Sequence, residues 1–70
     1  MRLSARNQLK GKVVAITHGA INSEVELEVA PGVRVTAQVT TSSVHSLGLK
    51  EGSTAYALIK ADSVMIGIDD

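Results

Sequence analysis

The sequence predicts an all-β domain of five short strands, with one short helix between the third and the fourth. Two stretches, Ser23–Val29 and Val33–Val39, alternate apolar and polar residues with the period of half-buried strands. Further on, Val44 and Leu47 stand three apart, the spacing of a one-sided helical turn. The remaining apolar runs are short and are bounded by Gly, Pro and Asn, which punctuate turns.

Taken in order, Lys10–Thr17 is β-prone, with Val13, Val14 and Ile16. His18-Gly19-Ala20-Ile21-Asn22 breaks the run and suits a turn. Ser23–Val29 places Glu24, Glu26 and Glu28 on one face and Val25, Leu27 and Val29 on the other. Ala30-Pro31-Gly32 is a turn in which Pro presets φ. It joins that strand to Val33–Val39 as a hairpin. Thr40, Thr41 and Ser42 each suit an N-cap, and Gly48 suits the position just past a helix end, so a short helix is expected over Ser42–Leu47. Lys50-Glu51-Gly52 turns into a fourth strand, Ser53–Lys60. There Tyr56 and Leu58 oppose Ala55, Ala57 and Ile59, which predicts burial on both faces, one of them by a neighbouring subunit. Ala61-Asp62-Ser63 leads to a last strand, Val64–Ile68, and Asp69-Asp70 forms a polar tail. Five strands with this helix placement follow the element order of an OB-like β-barrel.

With 70 residues, the chain is read as one domain over 1–70. It has no Cys, Phe or Trp and one aromatic, Tyr56. No disulfide framework is possible, and the core must be aliphatic. Small scaffolds without staples gain stability by oligomerising, so assembly is expected. Lys and Arg number 7, as do Asp and Glu; a zero net charge argues against a general nucleic-acid binder. No apolar run approaches transmembrane length, and no apolar stretch follows Arg2 as in a signal peptide. A soluble, cytoplasmic protein is expected.

One chemistry stands out. Ser4-Ala5-Arg6-Asn7, ahead of the first strand, offers a hydroxyl, a guanidinium fork and backbone N–H groups. Thr40, Thr41, Ser42 and Ser43 bring hydroxyls to a helix start, where free N–H groups favour anions, and Lys60 closes the fourth strand. This collection has donors and no carboxylate. It suits a fully deprotonated tetrahedral dianion, because the proton of monoprotonated phosphate would be left unpaired. Each residue also has a plainer reading: a capped helix start, a solvated strand-end lysine, a surface arginine. The Glu24, Glu26 and Glu28 stripe reads as a wet face, and His18 and His45 lack ligand spacing.

The chain resembles the molbindins, small bacterial molybdate-binding proteins whose unit also serves in transcription regulators and transporter ATPases. The resemblance rests on Ser4–Gly11, on Thr40-Thr41-Ser42-Ser43-Val44 through Leu47-Gly48-Leu49 and Gly52, and on Leu58-Ile59-Lys60-Ala61 with Val64. It implies an OB-like barrel and a homohexamer built as a trimer of dimers. It also implies sites between subunits that hold molybdate or tungstate as an oxyanion, without direct coordination of the metal. Carried over by motif, Ser4, Ala5 and Arg6 would line one side of a dimer-interface site, with Thr40, Ser43 and Lys60 on the other. A further site near the threefold axes maps by position onto Gly19, Ala20, Ile21 and Asn22. The chain ends soon after the last strand, which favours the stand-alone storage form over the sensor.

Three other functions compete. A nucleic-acid-binding OB module would need aromatic platforms, and only Tyr56 is present. An enzyme would need a nucleophile–base–orienter set or a metal cluster, and neither is legible. A structural unit would assemble without any ion.

Overall fold

The computed structural model describes residues 1–70. The elements are β1 (Asn7–Thr17), β2 (Asn22–Ala30), β3 (Val33–Thr40), α1 (Thr41–Ser46) and β4 (Thr54–Ile59), followed by a 3-10 turn at Ala61–Ser63. The four strands form one antiparallel sheet in the order β3-β2-β1-β4.

β1 is the spine of this sheet, and its two halves have different partners. Asn7–Lys12 pairs with β4, from Asn7 opposite Ile59 to Lys12 opposite Thr54. Lys12–Thr17 pairs with β2. The strand begins three residues before the expected Lys10, because pairing with β4 holds Asn7–Leu9 extended whatever their own propensity. A bulge between Val13 and Ala15 shifts the register against β2. It explains the odd apolar pattern of β1: Val13 and Ile16 are three apart, and both serve the same core only because an extra residue intervenes.

The hairpin of β2 and β3 forms as expected, in register from Asn22 opposite Thr40 to Glu28 opposite Arg34, with a register shift between Glu28 and Ala30 beside the turn. The glutamate stripe lies on its outer face; Arg34 sits 4.0 Å from Glu26 there. Val25 and Leu27 are buried on the inner face with Val13, Ala57 and, from α1, Val44. Ile16, Val29, Val35, Val39, Leu49 and Ala55 complete this aliphatic core. α1 starts one residue before the expected Ser42, with Thr40 as its N-cap accepting from the Ser43 N–H. Past its end, Gly48 takes φ 62°, the left-handed conformation that glycine adopts without a Cβ clash.

Two expectations, the fifth strand and the closed barrel, are not met within the single chain. The fifth strand, Val64–Ile68, does not form: the segment is unpaired, with Met65, Ile66 and Ile68 each about nine-tenths exposed. A strand needs a partner edge, and this segment leaves the sheet at the far end of β4 through the 3-10 turn. The single chain therefore holds a four-stranded sheet and does not close a barrel. The outer face of β4 also lacks a cover within the chain: Tyr56 and Leu58 are 46% and 44% exposed, while Ala57 on the opposite face is buried.

The chain is correspondingly open. Its accessible surface is 5,564 Å², against about 4,200 Å² for a compact monomer of 7.3 kDa. The radius of gyration is 12.9 Å, where a compact chain of this length has about 11 Å. No helix is long and apolar enough to cross a membrane.

Candidate functional site

The antiparallel pairing of β4 with the first half of β1 returns the end of β4 to the front of the chain. The Asn7 side-chain amide donates to the Ile59 carbonyl at 3.2 Å and ties the two ends together. As a result Ser4, Ala5, Arg6 and Lys60 line one open cavity of about 290 Å³, with Ala61 and Asp62. A guanidinium, an ammonium and a hydroxyl thus border a single space from two elements distant in sequence.

Thr40 and Ser43 lie elsewhere. They sit beyond the end of β3, which pairs with the start of β2 and so with the Thr17 end of β1. β1 has 11 residues, so at about 3.3 Å per residue its two ends are roughly 30 Å apart along the strand. The expectation from motif grouped Lys60 with Thr40 and Ser43; within one chain the pairing puts Lys60 with Arg6 instead. The six residues can share one site only if two chains meet.

At the start of α1 the hydroxyls largely satisfy one another. Thr40 Oγ1 accepts the Ser43 N–H at 3.1 Å and lies 2.6 Å from Ser43 Oγ. This compact pair holds both hydroxyls at one point, and it occupies one of the N–H groups expected to face an anion.

The turn from Gly19 to Asn22 is tightly built. A Cβ on Gly19 would fall 2.2 Å from the Asn22 carbonyl oxygen, so only glycine fits. The turn borders a cavity of about 170 Å³ whose lining has no apolar residue and includes Gly19, Asn22, His18 and Glu24. Ala20 and Ile21 stand outside that lining, exposed. Another cavity, about 330 Å³, opens on the wet face beside Lys10, Lys12 and Glu28 and is lined by none of the candidate site residues.

Sequence reasoning missed Asp62. Its carboxylate borders the front cavity, 4.0 Å from the Lys60 ammonium, so that half-site is not purely donor. The signal was available in Lys60-Ala61-Asp62, where a carboxylate stands two residues from the lysine. No group of three or more His, Cys, Asp or Glu is placed to hold a metal ion directly; the donor set suits an anion.

Comparison with known proteins bears on this site. The TOBE domain model matches residues 3–66. The chain is 46% identical to a probable molybdenum-pterin-binding protein of Haemophilus influenzae over 99% of its own length and 100% of that protein. It is 52% identical to molybdenum-pterin-binding protein 3 of Clostridium pasteurianum, over 94% and 97% of the two chains. Among solved structures it matches the cytoplasmic molybdate-binding protein ModG, crystallised with molybdate bound, with a TM-score of 0.93 and 48% identity. That match covers 99% of this chain and 49% of ModG.

Proposed function

The chain belongs to the molbindin family of TOBE domains, and on that premise we propose that it binds molybdate or tungstate between subunits of a homo-oligomer, for intracellular molybdenum storage and homeostasis. One observation carries this reading: Ser4, Ala5, Arg6 and Lys60 border one open cavity that lacks any partner for its two cations except Asp62. The molybdate-bound relative ModG, with which the fold superposes, supports the choice of ligand.

The site is completed across an interface. The front segment and Lys60 of one subunit face Thr40 and Ser43 of its partner, and the assembled donors hold the four oxygens of the dianion. Positive charge from Arg6 and Lys60 supplies the attraction, and the hydroxyls supply direction. The metal stays inside its oxyanion, and nothing is catalysed: the protein is a binding protein of the cytoplasm, with residues 1–70 as one ion-binding domain. The turn Gly19, Ala20, Ile21 and Asn22 holds a second class of ion near the threefold axes through backbone N–H groups.

The assembly is a hexamer, a trimer of dimers. The chain exposes about 1,400 Å² more than a compact monomer of its mass. A standard interface takes about 800 Å² from each partner, so this excess is roughly two interfaces per subunit, as a trimer of dimers requires. The uncovered Tyr56 and Leu58 face and the unpaired Val64–Ile68 segment are the surfaces that assembly buries. Val64–Ile68 becomes the fifth strand, and the OB-like barrel closes, only between copies. Equilibrium dialysis against molybdate, with molybdenum counted per chain, tests the reading. Each twofold dimer holds two such sites, so retention of at least one ion per chain is expected, and retention of none overturns it.

A further inference from the structure

The hydroxyls of Ser23 and Thr41 have no role in the oxyanion site described above. Ser23 is the one buried polar residue of the chain, 2% exposed. Its Oγ lies 2.7 Å from Thr41 Oγ1, and Thr41 Oγ1 donates to the Gly19 carbonyl at 2.7 Å. A hydroxyl has one proton to give. The Thr41 proton goes to Gly19, so Ser23 is the donor to Thr41. The Gly19 N–H then donates to Ser23 Oγ at 3.4 Å. The three bonds close a ring that runs from the Gly19 N–H through Ser23 and Thr41 back to the Gly19 carbonyl, an arrangement in which each bond polarises the next. The Thr41 N–H adds a 2.7 Å bond to the Ile21 carbonyl. These contacts occupy both backbone groups of Gly19 and the carbonyl of Ile21. The N–H groups of Ala20 and Ile21 donate to nothing within the chain, and both residues are exposed.

We propose that Ser23 and Thr41 are positioning residues: their hydroxyl ring holds the 19–22 turn in the one conformation that presents the free N–H groups of Ala20 and Ile21 to an oxyanion. The proposal rests on the oxyanion reading above. A turn fixed before binding needs no ordering when the ion arrives, and affinity gains by that amount. Neither residue touches the ion.

The test is an NMR titration of the assembled protein with molybdate that follows the amide protons of Ala20, Ile21 and, as a reporter of the front cavity, Arg6. Thr41→Val keeps the side-chain shape and removes the hydroxyl, whereas Thr41→Ser keeps the hydroxyl. In the wild-type chain and in Thr41→Ser all three amides should titrate. In Thr41→Val, which loses two hydrogen bonds of ordinary strength, half-saturation at Ala20 and Ile21 should rise about tenfold or more, with Arg6 titrating as before. Ser23→Ala opens the same ring from its other member and should give the same split; it serves if Thr41→Val does not assemble. Turn amides that saturate in both hydroxyl-deleted variants as in wild type overturn the proposal. So do turn amides that stay silent in a wild-type chain whose Arg6 responds. Silence at all three amides overturns the oxyanion reading itself.

Discussion

Lys60 carries its charge on a side chain 80% exposed, with the equally open Asp62 carboxylate 4.0 Å away. A surface pair of this kind is weak, so Lys60 is free to turn to an incoming dianion. Arg6→Ala or Lys60→Ala removes a charged donor worth about 1.5–3 kcal/mol, and calorimetry should show molybdate binding ten- to a hundredfold weaker. Asp62→Asn removes a repulsive charge from the same cavity and should tighten molybdate binding severalfold; weaker binding would mean that the carboxylate orients Lys60. Placement makes a further prediction. Arg6 and Lys60 share a cavity within one chain, while Ser43 lies at the other end of the sheet. Subunit exchange between Arg6→Ala and Ser43→Ala proteins should therefore restore some intact sites, and exchange between Arg6→Ala and Lys60→Ala should restore none. The opposite pattern, with exchange proven by mass spectrometry, would contradict the proposed pairing. The donor chemistry of Arg6, Lys60, Thr40 and Ser43 was legible in the sequence because residue type declares it. Their grouping was not, because strand pairing decides which ends meet.

At the scale of elements, α1 is anchored at its start by the hydrogen bonds of Thr41 to Gly19, Ile21 and Ser23, and its one buried apolar side chain is Val44, which is 1% exposed and belongs to the same core cluster as Val13 and Leu27. Val44→Ala removes two buried carbons and leaves a void, at a cost of about 2 kcal/mol. Urea unfolding should show that loss; an unchanged midpoint would place α1 outside the cooperative core. The hairpin of β2 and β3 and the helix after it were readable from alternation and capping residues, since both depend on local periodicity. The bulge in β1 was not, because Val13, Val14 and Ile16 fit either register until β2 selects one. The last segment misled for a related reason: Val64–Ile68 is a short apolar run after a turn, yet such a run records only that the segment is to be buried. It does not say by which chain. Truncation after Ser63 removes that segment, and light scattering should then report a smaller assembly than for the full chain. An unchanged mass would show that Val64–Ile68 plays no part in assembly.

At the scale of the whole molecule, the surface excess is the strongest statement. A 7.3 kDa chain that exposes 5,564 Å² has more surface than a compact monomer of that mass, and on the proposed assembly light scattering at micromolar concentration should report a hexamer; a monomer would remove both the interface site and the closed barrel. A hexamer alone, however, does not distinguish an ion-binding assembly from an inert one. The measurement that does is parallel calorimetric titration of the assembled protein with molybdate, tungstate, sulfate and phosphate near neutral pH. Molybdate and tungstate should bind alike and far more tightly than the other two. Sulfate, with its shorter bonds, cannot reach all donors of a cavity shaped for the larger ions, and monoprotonated phosphate brings a proton that donors cannot accept. Equal affinity for phosphate and molybdate, or no heat from molybdate at all, would contradict the account.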